Sequence, residues 1–74
     1  EGADPLQLLQ DMLEFVHFIT RVKLAESASN DPAFAAHERE SAKELAGQLT
    51  MPVLARLWQM LLKAVQETRL APSP

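Results

Sequence analysis

Two histidines have the widest chemical scope in this chain of 74 residues. His37 opens His37-Glu38-Arg39-Glu40, which resembles the start of a zinc-protease helix, where a glutamate works as general base beside a metal held by two histidines. The second histidine, four residues after the first, is missing, so the metal reading fails on its own spacing. His17 stands one helical turn from Glu14 and Arg21, an arrangement that serves either acid–base chemistry or a solvated charge network. The network reading needs no further partner. Trp58 offers a flat ring on which a nucleic-acid base could stack, but its spacing from Leu54, Leu61 and Leu62 is that of a core or interface anchor.

Other groups are thinner still. Glu38, Arg39, Glu40, Lys43 and Glu44 form the mixed-charge run of a solvated helix face. Gly2 and Gly47 are isolated, so no loop cradles phosphate. With no cysteine, a disulfide and a thiolate zinc site are both excluded. No residue is therefore assigned a catalytic, cofactor-binding or metal-binding role. Arg56 is the most informative charge, because it sits beside Leu57 and Trp58, where a guanidinium either meets a partner's carboxylate or carbonyl or stays in water.

The elements that carry these residues are helices. Asp4-Pro5 is a start signal: the carboxylate caps free amides, proline stands where no donor is needed, and Gln7 takes the capping-box position. Helix 1 is expected over about residues 5–25. Ser27 to Asp31 reads as a polar loop, and Asp31-Pro32 repeats the start signal for helix 2, about 32–48. Thr50 with Pro52 opens helix 3, about 51–70, with Arg69 suited to its carboxyl end. Ala71 to Pro74 ends it. No window alternates with period two, and the short connections imply antiparallel neighbours, so the expected fold is a small all-α, antiparallel three-helix bundle without strands.

Helical projection gives helix 1 two apolar stripes, Leu6, Leu9, Leu13 and Val16 beside Leu8, Met12, Phe15, Ile19 and Val22. Helix 3 is similar, Val53, Leu57, Met60, Leu61 and Ala64 merging into Leu54, Trp58, Leu62 and Val65. Helix 2 is leaner, with Phe34, Ala42, Leu45, Ala46 and Leu49. This apolar surface exceeds what three short helices bury among themselves, and an excess of that kind marks an interaction site. Leu8, Met12, Phe15, Ile19, Val22, Leu54, Arg56, Trp58 and Leu62 are the candidate interface residues.

Charge and length limit the partners. Ten acidic residues against seven basic give a net charge of −3, with no basic run to neutralise phosphates, so direct nucleic-acid contact is not expected. The apolar clusters fall short of the roughly 20 residues that span a bilayer, and residues 1–4 show no signal-peptide pattern, so the chain reads as soluble. Acidic side chains on the polar faces oppose binding to anionic lipid. A protein–protein role remains, with a docking module for one amphipathic partner helix as the alternative to subunit assembly.

Three segments together resemble the third, collar domain of the bacterial DNA polymerase III gamma/tau subunit: Gly2 to His17 followed by Thr20-Arg21 and Lys23-Leu24, the charged stretch Glu38 to Leu49, and Leu57-Trp58-Gln59-Met60-Leu61-Leu62-Lys63 with the closing Leu70-Ala71-Pro72. The resemblance implies a non-catalytic oligomerisation domain in a subunit of the DNA polymerase III holoenzyme. Its partners would be other gamma/tau copies and the delta and delta-prime subunits, in a ring that orders AAA+ ATPase modules for loading a sliding clamp in the bacterial cytoplasm. ATP and magnesium would bind in the ATPase part of the parent protein, leaving no cofactor in this segment. Members of the family continue into a further amphipathic helix beyond the Ala-Pro segment. The isolated segment is accordingly expected to stay monomeric.

Overall fold

The computed structural model describes residues 4–70. Its elements are helix α1 (Pro5–Leu24), a 3-10 turn (Glu26–Asn30), helix α2 (Ala36–Gln48) and helix α3 (Met51–Leu70), and the described residues contain no strand. The all-α expectation holds. The stop signal at residues 71–74 lies outside the described residues.

α1 begins as its sequence predicts, with one difference. Asp4 is extended and its Oδ1 accepts from the Leu6 amide at 3.1 Å, with Pro5 in the first turn. Gln7 does not close a capping box; its amide donates forward to Asp11 Oδ1 at 2.9 Å, the ordinary partner one turn along a helix. At the far end Ala25 leaves helical geometry, and its amide still donates to the Arg21 carbonyl at 2.8 Å.

The second helix starts at Ala36, four residues later than the Asp31-Pro32 signal suggests. Asp31 Oδ1 accepts from the Ala33 amide at 2.9 Å and the Asp31 carbonyl from the Phe34 amide at 3.3 Å, which makes a turn in place of a first helical turn. α2 is then capped backwards, Glu38 Oε1 accepting from the Ala35 amide at 2.9 Å. Alanine has no side-chain acceptor, so only that half of a capping box exists. The polar stretch before it is also more ordered than a loop, since Ser29 is buried and Ala28 packs on the core.

α3 opens on Thr50, whose Oγ1 accepts from the Val53 amide at 3.4 Å and whose carbonyl accepts from the Leu54 amide at 3.0 Å. Only Leu49 and Thr50 separate α2 from α3, yet the two helices pack on α1 and not on one another. A short connection therefore did not make them neighbours. Leu49 is extended (φ −95°, ψ 138°), which breaks the helical axis and lets α3 turn onto α1. The result is a flattened bundle, 44 × 29 × 14 Å, with α1 in the middle.

The core lies around the second half of α1, where Val16, Phe18, Ile19 and Val22 meet Ala42 and Ala46 of α2 and Leu54 of α3. Phe18 and Ala42 are fully enclosed. Small residues at 42 and 46 let α2 approach α1 closely. Burying one phenylalanine of this kind is worth about 1.5–3 kcal/mol, a large share of what a core this size supplies. Phe34 stacks on Phe18 with centroids 4.1 Å apart and planes 2° from parallel, and Phe15 tilts against both rings.

Polar contacts lock the same region. Arg21 pairs with Asp31 at 2.9 Å while its guanidinium lies 5.4 Å from the Phe18 ring centre. Arg39 donates to the carbonyls of Asp31 and Phe34, holding the turn from the other side. Lys23 Nζ donates to the Ala46 carbonyl at 2.9 Å, placing a cation at the carboxyl end of α2, where both the free carbonyls and the helix dipole favour it.

Candidate interaction surface

One stripe of α1 changes character along its length. At 100° per residue, Leu8, Met12, Phe15, Ile19 and Val22 share roughly 80° of the helix. Ile19 and Val22 are 2% and 6% exposed, Phe15 is half-buried, and Met12 and Leu8 are 45% and 53% exposed. The cause is length. α1 has 20 residues and α2 has 13, about 30 Å against about 20 Å of helix, and α2 lies beside the second half, where Lys23 reaches Ala46 and Phe18 meets Phe34. The stripe continues past the neighbour that covers it.

On α3 the buried line is Leu54 and Val65. Met51, Trp58 and Leu62 flank it on one side by the same helical projection, while Val53 and Met60 lie roughly 110–130° away toward the outer face, all substantially exposed. Trp58 leans on His17, ring centres 5.7 Å apart and planes at 57°. Gln7, Gln10, Asp11, Leu13 and Glu14 complete a cleft around this pair. His17 and the Leu8–Met12 patch are roughly 140–180° apart around α1, so the exposed apolar groups of α1 and the Trp58 side of α3 occupy different faces. Arg56 points away from the buried line, is exposed, and has no ion-pair partner among the described residues.

The nine candidate interface residues thus separate. Ile19, Val22 and Leu54 belong to the core of this chain and Phe15 is packed against it. Leu8 and Met12 form one exposed patch, Trp58 and Leu62 lie on another, and Arg56 stands on the outer edge of α3. Projection could not divide them, because a stripe looks the same whether or not a neighbour reaches it. The sequence also gave no sign that His17 meets Trp58, or that Met51 and Met60 stay exposed; the first depends on how α1 and α3 are juxtaposed.

Electrostatics single out Asp31, outside this surface. The Ala33 amide and then the Arg21 guanidinium hold its carboxyl below the usual value. His37 is exposed on α2, next to a Glu38 whose carboxylate is occupied with the Ala35 amide. No three His, Asp or Glu side chains converge among the described residues. No described helix is long and apolar enough to cross a membrane.

The family model for DNA polymerase III subunits gamma and tau, domain III, matches residues 1–74. The chain belongs to this family. Comparison with curated proteins and with solved structures gave no match. As a gamma/tau domain III, the chain is a domain of a DNA polymerase III subunit, and Leu8, Met12, Trp58, Met60 and Leu62 are its exposed apolar side chains along these two stripes.

Proposed function

We propose that this domain III is the assembly segment of its gamma/tau subunit. It packs against the same domain in other gamma/tau copies and against the delta and delta-prime subunits of the clamp loader. That packing keeps AAA+ ATPase modules, located elsewhere in the parent proteins of the bacterial cytoplasm, in a fixed order for loading the sliding clamp. The segment itself takes no cofactor and performs no chemical step.

The observation that carries this reading is the uncovered half of the α1 stripe, Leu8 and Met12, continuous with a half that is core. An apolar stripe with an abrupt end is unsatisfied where its neighbour stops, and removing such surface from water yields roughly 25 cal/mol per Å². The same gap suits the second reading, a module that receives one amphipathic helix beside the first half of α1.

The test places Leu8→Glu with Met12→Glu in the full chain and follows assembly with delta and delta-prime by size exclusion. Loss of the multimer with unchanged helicity supports the reading; a full-sized multimer overturns it. Titration with isolated amphipathic peptides, followed by NMR shifts at Leu8 and Met12, separates the second reading from the first.

A further inference from the structure

The face that carries His17 and Trp58 is separate from the one that the assembly role uses, since the Leu8–Met12 patch lies roughly 140–180° away around α1. Two clefts open there, one on each side of the same pair of rings. The first, about 320 Å³, is bounded by Gln10, Asp11, Glu14, His17 and Trp58. The second, about 220 Å³, is lined by Met51, Leu54 and Ala55 of α3 and Thr20 of α1, and shares His17 and Trp58 with the first. Pockets for drug-sized molecules run from about 300 to 1,000 Å³. These two lie at or below the lower end, so each suits a single side chain.

The linings differ in charge. Asp11 and Glu14 are one turn apart on the same side of α1. Asp11 takes a hydrogen bond from the neutral Gln7 amide at 2.9 Å, which leaves its charge intact. Glu14 makes no ion pair among the described residues, and Arg21, two turns further along that side, is held by Asp31. The second cleft has no carboxylate, ammonium or guanidinium in its lining. Between the two stands the indole of Trp58, 38% exposed. A guanidinium beside an indole gains cation–π attraction while its planar N–H groups donate to carboxylates. Nucleic acid and anionic lipid meet like charge here and are disfavoured.

The geometry points to a docking site for an extended segment of another protein, in which an arginine and an apolar residue are separated by one intervening residue. Alternate residues of an extended chain lie on the same face, roughly 7 Å apart. One segment crossing over the Trp58–His17 pair therefore sets its arginine between Asp11 and Glu14 and its apolar side chain against Met51 and Leu54. The site does not depend on the assembly role, because it uses neither Leu8 nor Met12.

The test titrates the labelled full chain with the capped tripeptides Arg-Ala-Leu and Leu-Ala-Arg, which cover both chain directions. Controls carry glutamate in place of arginine, or serine in place of leucine. NMR shifts locate the binding, and Trp58, the one tryptophan of the chain, reports it by fluorescence as well. One of the two tripeptides is expected to shift the Trp58 indole and the Glu14 amide. Its controls bind about tenfold more weakly, the worth of one charge-assisted hydrogen bond or more. Asp11→Asn with Glu14→Gln, both at exposed positions and checked for unchanged helicity by circular dichroism, lowers the affinity of that tripeptide about tenfold too.

Equal binding of the tripeptides and their controls overturns the inference, as does a carboxylate variant that binds like the native chain. Shifts at Leu8 and Met12 in place of Trp58 overturn it and give the peptide to the other face. Trp58 shifts that follow protein concentration without peptide assign the clefts to a second copy, and shifts on adding a single-stranded oligonucleotide assign them to nucleic acid; either result overturns the peptide site.

Discussion

The carboxyl-terminal half of α1 and its amino-terminal half carry the same apolar stripe in different surroundings. In the carboxyl-terminal half, Phe18 and Ile19 are enclosed by α2, α3 and the Phe34 turn, and Arg21, Lys23 and Arg39 tie the neighbouring backbone down. In the amino-terminal half, Leu8 and Met12 lie bare, although Val65 of α3 is buried and Leu9 and Leu13 are half-buried. The carboxyl-terminal half is where the domain's stability resides. The amino-terminal half leaves apolar surface exposed, and the difference is set by one short helix.

If that division is right, the largest effect comes from the enclosed half. Phe18→Ala is expected to cost about 3–5 kcal/mol, enough to unfold a domain of this size, and urea denaturation followed by circular dichroism measures it. A loss below about 1 kcal/mol there would break the comparison. Ala42→Leu probes the same half by overfilling it. Its side chain has no free space, so α2 is pushed from α1 at a cost of about 1–3 kcal/mol, read as a lower urea midpoint.

A smaller, pH-dependent effect comes from Asp31. Its folded-state carboxyl is lowered by the Ala33 amide and by Arg21, so its contribution is fully present above the unfolded value near 3.8 and is lost as pH falls through the folded value. Asp31→Asn is therefore expected to lower the thermal midpoint at neutral pH, and the gap to the native chain narrows on acidification. An equal gap at every pH would assign the loss to the changed turn rather than to the charge.

The smallest effect on stability is expected in the open half. Met12→Gln should leave the free domain within about 0.5 kcal/mol of the native one, as surface changes do, while weakening subunit association. Equal damage to stability and association would mean that Met12 is core, and the two halves would no longer differ.

Much of this was legible in the residues. Asp4-Pro5 and Thr50 with Pro52 located two helix starts because a cap acts through its own amides, within four residues. Asp31-Pro32 misled by four residues, since the same carboxylate engaged Ala33 in a turn and Arg21 from ten residues away, and the second partner is invisible to a local signal. The interface candidates were legible as a set and not as individuals. Ile19 and Met12 occupy the same stripe and differ only in what lies opposite.

The sequence by itself determined three helices, the apolar stripes along them, and a family match along its whole length. These depend on local propensity, on composition and on residue order, all of which act without distant contacts. Tertiary structure alone decided that α1 is central, that α2 stops halfway along it, and that Trp58 rests on His17. Each of those follows from how far one helix extends beside another, a length in space that no periodicity contains.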